Sequence, residues 1–268
     1  MKSKITLFNK IKDKARYLVS RLKLDRRETQ KTGRPKIIGM MDAISFGLFQ
    51  HTTNIPTKKK TREVLEPNGS YETFVRNVNR WGKEAAIILA ILLKANRKET
   101  SPVKITDGTD IPLCMNKNVR HHKTMEGLAN WGKTGKGWFY GLKLRFTVDF
   151  RGDVLAFRFT SGNAHDSAIF MRLNKGLRGI FLADAAYARD KLAREFYETT
   201  GNILLAAQRR NMKKLAALWQ NELYKFRMRI EWSFRSLKLF HGLVTSLPRS
   251  VNGCFSNYSY AILAYTFG

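Results

Sequence analysis

What most limits the folds open to this chain is a change of hydrophobic period at Ser101-Pro102. Before it, apolar residues recur at helical intervals: Ile37 to Gln50 reads as a short helix, Asn54-Ile55-Pro56 breaks it, and a helix capped by Ser70 runs through Phe74, Val78 and Trp81 to Leu93. After it the pattern alternates. Val103 to Cys114, Trp138 to Val148 and Val154 to Thr160 are rich in β-branched and aromatic residues, with a turn at Arg151-Gly152, so three strands including a hairpin are expected. Gly179 to Ala183 is a short apolar run suited to a strand covered on both faces; a helix over Arg189 to Thr199 and a strand over Asn202 to Ala207 follow. A long helix is expected from about Met212 to His241, stopped by Gly242. The aromatic set Trp138, Phe139, Tyr140 and Phe146 reads mostly as core. The pattern predicts an α/β chain: an all-helical region over 1–100, then a mixed sheet flanked by helices over 101–268.

Charge narrows the partners. The 268 residues hold 49 Lys and Arg against 21 Asp and Glu, a formal charge of +28, whose field attracts polyanions, nucleic acid first. The longest apolar run, Ala85 to Leu93, falls far short of the roughly 20 residues needed to cross a bilayer, so no membrane partner is expected. Two cysteines, Cys114 and Cys254, build no disulfide framework, and the basic N-terminus lacks the apolar core of a targeting peptide. A reduced, cytoplasmic location is expected. Residues 1–36 carry 13 Lys and Arg against 3 Asp and Glu, an arm expected to touch phosphates. Within it, Arg34 in Thr32-Gly33-Arg34-Pro35-Lys36 is similar to arms that enter A·T-rich minor grooves, the plainer reading of the same segment being a solvated linker that starts a helix. Lys58, Lys59, Lys60 and Arg76 in the helical region, and the His121-His122-Lys123 loop, are further candidates for DNA contact.

Three acids stand out against this basic background. Asp107 lies mid-strand, Asp184 ends an apolar strand and Glu231 sits on the long helix. A buried strand tolerates a carboxylate only where a cation or donor answers it, because desolvation costs several kcal/mol. The three therefore suggest bound divalent metal; hard oxygen ligands favour Mg²⁺ or Mn²⁺, and a phosphodiester substrate implies two ions. Cys114, His121, His122 and His165 lack the C-x-x-C or H-x3-H spacing of a zinc site. On the long helix, Tyr224, Arg227, Glu231 and Lys238 are spaced by 3, 4 and 7 and fall within an arc of roughly 60°. Leu223, Phe226, Ile230, Phe234 and Leu237 make an apolar face beside that stripe.

At these residues the chain resembles the DDE transposases of bacterial insertion sequences. Their third block reads Tyr, two residues, Arg, three residues, Glu, six residues, Lys, and Tyr224, Arg227, Glu231 and Lys238 match it position for position. The first block is similar to Asp107-Gly108-Thr109-Asp110-Ile111-Pro112-Leu113-Cys114, and the second to Asp184-Ala185-Ala186-Tyr187, where Ala186 stands for the usual glycine. Gly137 to Leu144, and Gly162-Asn163 with His165-Asp166, are further matches, with a fainter one at Ser70 to Arg76. The resemblance implies an RNase H-like, retroviral integrase-type catalytic domain behind a helical DNA-binding region. It implies Asp107, Asp184 and Glu231 as catalytic metal ligands, two Mg²⁺ or Mn²⁺ ions per site, and no nucleotide cofactor. Tyr224, Arg227, Lys238 and Asn163 would touch DNA. The partners would be double-stranded DNA, as element ends and target, and a second copy in a homodimer, near the bacterial nucleoid. Two rivals remain: an RNase H-like nuclease without strand transfer, and a transposase-derived DNA-binding protein without catalysis.

Overall fold

The computed structural model describes residues 2–28, 36–135, 137–207 and 217–267. Ten helices are seen among them: α1 (Lys2–Arg21), α2 (Met40–Thr52), α3 (Lys58–Leu65), α4 (Tyr71–Arg80), α5 (Gly82–Asn96), α6 (Asp166–Leu173), α7 (Asp190–Thr200), α8 (Leu218–Tyr224), α9 (Met228–Phe240) and α10 (Val251–Phe267). Six strands form one sheet: β1 (Val103–Pro112), β2 (Asn130–Thr134), β3 (Gly137–Asp149), β4 (Val154–Ser161), β5 (Ile180–Ala183) and β6 (Ile203–Ala206). The contacts divide the chain into two units, a helical one of Met1–Leu92 with Ser236–Gly268 and a sheet unit of Leu93–Arg235. By packing, the change of unit falls at 92/93 rather than at 100, and the last 33 residues join the N-terminal helices.

In the helical unit the basic N-terminal segment is not a free arm as far as Glu28. Phe8, Ile11, Ala15 and Val19 recur every three or four residues, and this stripe of α1 packs on α2, with Phe8 stacked on Phe46 at 5.4 Å. Lys12 pairs with Asp42 at 2.7 Å on the rim. Arg34 lies outside the described residues. The single helix expected from Ser70 to Leu93 is two. Ser70 does cap α4 through the Thr73 N–H, but the chain breaks at Trp81 and restarts at Gly82, where a Cβ would sit 2.1 Å from Ser256 Oγ of α10. The close approach of α10 thus requires glycine there, and α10 itself, absent from the sequence reading, packs on α2 and α4.

In the sheet unit, β3 is the spine. It runs antiparallel to β1 on one side, from Lys104↔Asp149 to Pro112↔Gly141. On its other edge it pairs first with β2 and then with β4. Gly141 is required by this pairing, since a Cβ would lie 2.1 Å from the Ile111 carbonyl oxygen. β5 adds parallel to β1, and β6 parallel to β5. One face is sealed by α6 and α7, where Phe170, Phe181 and Phe196 meet edge to face around 5.0 Å. On the other, Phe146 packs on Phe234 of α9 at 5.6 Å. β2 gave no sequence signal because only Gly132 of its five residues is buried. Trp138, read as core, is 60% exposed on the same hairpin, whereas Phe139 and Phe146 are buried. No helix among the described residues is long and apolar enough to cross a membrane.

Candidate active site

The site begins with strand register. Parallel pairing of β1 with β5 ends at Thr106↔Ala183. Asp107 is the next residue of β1 and Asp184 the first past the end of β5, so the two acids come close where β5 turns away and β1 runs on with β3 alone. Each uses one oxygen locally: Asp107 Oδ1 accepts the Gly108 N–H at 2.7 Å, and Asp184 Oδ1 accepts the Ala185 N–H at 2.7 Å, capping the 3₁₀ turn Ala185–Tyr187. Ala186 has no positive φ in that turn, so the family's glycine is not needed.

The third acid arrives on the helix. The long continuous helix of the sequence reading is α8, a 3₁₀ turn over Lys225–Arg227, and α9; its expected start at Met212 falls outside the described residues. Two side chains at this 3₁₀ turn reach the strands. Tyr224 donates its hydroxyl to the Ala183 carbonyl at 2.9 Å, beside Asp184. Arg227 places Nη2 at 3.2 Å from both Asp107 Oδ2 and Glu231 Oε1. Tyr224 is thus a strut between helix and sheet, and burial pushes its hydroxyl up to about 12. The apolar face expected beside the stripe is present in Ile230, Phe234 and Leu237, all buried.

Electrostatics follow from this placement. Burial raises Asp107 to about 6; Arg227 and the Gly108 N–H oppose the rise, and the charges of Asp184 and Asp166 add to it. The Asp107 side chain is 16% exposed and that of Glu231 44%. Among the described residues no three His, Cys, Asp or Glu side chains gather closely enough to hold an ion by themselves. What gathers is two carboxylates around one guanidinium, with a third carboxylate on the next strand. As a donor set, three carboxylates with oxygen-only chemistry fit a hard divalent cation.

The other expected contacts fall in two places. Lys58, Lys59, Arg76 and Lys238 line one cavity of the helical unit, while Lys60 pairs with Glu63 at 3.2 Å. His121 and His122 lie at the end of the 3₁₀ turn Asn116–His121 in the sheet unit, Lys123 follows, and His122 meets the Tyr140 ring edge-on at 6.3 Å. Asn163 accepts the Ser161 hydroxyl at 2.7 Å.

Sequence reading passed over one ion pair. Asp166 starts α6 after His165 and accepts Arg145 Nη2 at 2.7 Å; Arg145 is fully buried and also donates to the Ala164 carbonyl at 2.7 Å. The sequence hides it, because Lys143, Arg145 and Thr147 alternate with Leu142, Leu144, Phe146 and Val148 as the outer face of a strand would. A residue-type pattern in one segment does not name its partner in another.

A model of the transposase DDE domain matches residues 97–250, more than half of the chain. The chain belongs to the DDE transposase family. Its fold is accordingly the RNase H-like one, a mixed sheet flanked by helices, here with helices on the N-terminal side. No curated protein matches it. Among solved structures it is similar to the Mos1 transposase paired-end complex with left transposon end, at 13% identity over 76% of this chain and 78% of that one, TM-score 0.23. It is likewise similar to the Mos1 mariner paired-end complex with Mn, at 14% over 81% and 82%, TM-score 0.25, and to a pre-cleavage Mos1 transpososome, at 12% over 88% and 80%, TM-score 0.26. Likeness of that degree carries no residue role across.

Proposed function

We propose that this transposase cuts DNA at the terminal inverted repeats of an insertion sequence and joins the freed 3′-hydroxyl ends to double-stranded target DNA. The observation that carries the reading is the meeting of Asp107, Asp184, Arg227 and Glu231 where β5 leaves β1. Asp107, Asp184 and Glu231 would hold two Mg²⁺ or Mn²⁺ ions, which when bound activate the attacking oxygen and stabilise the leaving one. The chain's own residues do the rest. Asp107 and Asp184 are each oriented by the following backbone N–H, which leaves Asp107 Oδ2 to the Arg227 guanidinium in the free protein. Tyr224 fixes the helix on β5, which sets the position of Arg227 and Glu231. Arg227 carries a fork of donors able to grip a phosphate oxygen pair once released from the acids. Lys58, Lys59, Lys60, Arg76, Lys238 and Asn163, with the His121-His122-Lys123 loop, would add phosphate contacts along the bound duplex. Two copies of the chain would hold the two ends together.

The test is a supercoiled plasmid carrying element ends, incubated with Mg²⁺ or Mn²⁺. Nicking at the ends followed by joining to a second plasmid is the expected outcome. Asp107→Asn, Asp184→Asn and Glu231→Gln should each abolish cleavage in folded protein, since each keeps shape and removes a ligand. Near wild-type turnover in any one of them would remove that residue from the site.

A further inference from the structure

The helical unit contains a cavity of ≈ 880 Å³ between α2, α3, α4, the end of α9 and the segment entering α10. Two helices begin in its wall. α3 starts at Lys58 after Thr57, whose hydroxyl accepts the Lys60 N–H at 3.0 Å; α10 starts at Val251 after Ser250, whose hydroxyl accepts the Gly253 N–H at 3.0 Å. The first N–H groups of each helix precede any intrahelical acceptor, and the positive ends of two helix dipoles face one space.

The side chains there reinforce the same sign. The one acid in the described lining, Glu72, is already paired with Arg76. Among the described residues, Lys58, Lys59 and Arg249 have no carboxylate within ion-pair distance. Lys58 is half-buried and closely surrounded, and burial pushes its ammonium down to about 8. The group that would stabilise its charge is the Cys254 thiol, itself pushed up by burial and so neutral. His51 and His241 also line the space; burial lowers both, His51 to about 4, and so favours the neutral imidazole. A withdrawn ammonium beside a neutral thiol, in a space that Lys59 and Arg249 also line, is costly, and an anion is what would compensate it. The volume exceeds a lone phosphate and suits a nucleotide-sized group.

We infer that this cavity is a phosphate site, in which Lys58, Lys59 and Arg249 with the first turns of α3 and α10 take a phosphate group of a bound DNA strand. The inference rests on DNA being the partner, but the site is distinct from the one that cuts.

The full-length chain, Lys58→Met and Arg249→Gln are titrated with pyrophosphate by calorimetry at constant ionic strength, and with duplex DNA across a salt series. Wild type should bind pyrophosphate, and Lys58→Met should weaken that binding by about tenfold or more. The slope of log affinity against log salt should fall by roughly 0.9, one phosphate contact. Lys58→Met should also raise the melting temperature of the DNA-free protein, because it deletes an uncompensated charge, while losing the further rise that pyrophosphate gives wild type. A plain packing role for Lys58 predicts the opposite sign. Loss of pyrophosphate binding with an unchanged DNA slope would assign the site to a free phosphate compound and overturn its place on the strand. Folded Lys58→Met that binds both like wild type overturns the site altogether; if that variant does not fold, Arg249→Gln carries the comparison. Metal-dependent nicking by wild type, measured in the same buffer, reports separately on the carboxylates. Nicking without pyrophosphate binding removes the cavity alone, and the reverse removes the cutting site alone.

Discussion

Arg227 occupies the place between Asp107 and Glu231 that a cation bound by those acids would need, and its replacement by glutamine should separate two activities that usually fall together. With Nη2 at 3.2 Å from both carboxylates, the guanidinium is their counter-ion in the free protein. A charge-assisted hydrogen bond in a partly buried setting is worth about 1.5–3 kcal/mol net, which fits the Asp107 arm. The Glu231 arm is 44% exposed and screened, so it adds less than about 1 kcal/mol. A metal ion entering this site must therefore displace interactions worth about 2–3 kcal/mol, or about 30–150-fold in a dissociation constant. Arg227→Gln should bind Mn²⁺ at least about tenfold more tightly than wild type without DNA, allowing for partial rearrangement. The same variant should be less stable than wild type in a chelator, because the acids then repel, and should recover that stability as Mn²⁺ is added.

Paramagnetic resonance of free Mn²⁺ measures the first effect, urea unfolding with and without metal the second, and plasmid nicking and joining the third. Joining should fall by about 10²-fold, equivalent to roughly 2.7 kcal/mol of positioning, because the fork that would grip the flanking phosphate is gone. A residue that only solubilised the helix would leave metal binding and joining unchanged. Equal or weaker Mn²⁺ binding by folded Arg227→Gln would show that the guanidinium does not stand in the metal's place, and the reasoning would fail there.

The remaining expectations concern the frame around the site. Arg145→Met should cost about 3–5 kcal/mol in urea unfolding, because Asp166 and the Ala164 carbonyl lose a fully buried partner; a loss under about 1 kcal/mol would show that Asp166 reaches water without it. Gly141→Ala should cost about 2 kcal/mol or more, since its Cβ would sit 2.1 Å from the Ile111 oxygen, and hydrogen exchange should quicken along β1 first; uniform quickening would place the damage elsewhere. Burial holds His51 down to about 4 from an ordinary 6.5, with its Nδ1–H donating to the His241 carbonyl at 2.6 Å. The unfolded chain takes up that proton first, so the stability His51 contributes is complete above pH 6.5 and falls away towards pH 4, by about 3 kcal/mol in all. His51→Asn should lack that part of the acid sensitivity, and an identical pH profile for the variant would disprove the assignment.

How far the sequence could foresee this follows from which forces are local. The strands around Asp107 and Asp184 were legible because burial on one or both faces writes itself into alternation or into short apolar runs, and Gly242 stops α9 with the positive φ of 59° its position suggested. The break at Trp81 and Gly82 was not legible, because its cause is Ser256 of α10, more than 170 residues away. The 3₁₀ turn before α9 has the same character, since residues 225–227 tighten while Tyr224 reaches the Ala183 carbonyl and Arg227 reaches Asp107. β2 escaped notice for a different reason: an edge strand with one buried residue has no period to read. The carboxylates depend on a nonlocal quantity too, the register of β1 on β5. A slip of one residue would turn Asp107 to the opposite face, towards the Arg145–Asp166 pair, and leave Arg227 facing Thr106 or Gly108. The register is held by Ile105, Phe181 and Leu182, each fully buried, so the hydrophobic residues before the acids fix where the acids stand. Core substitutions at those three positions should therefore damage cutting more than their effect on stability alone explains.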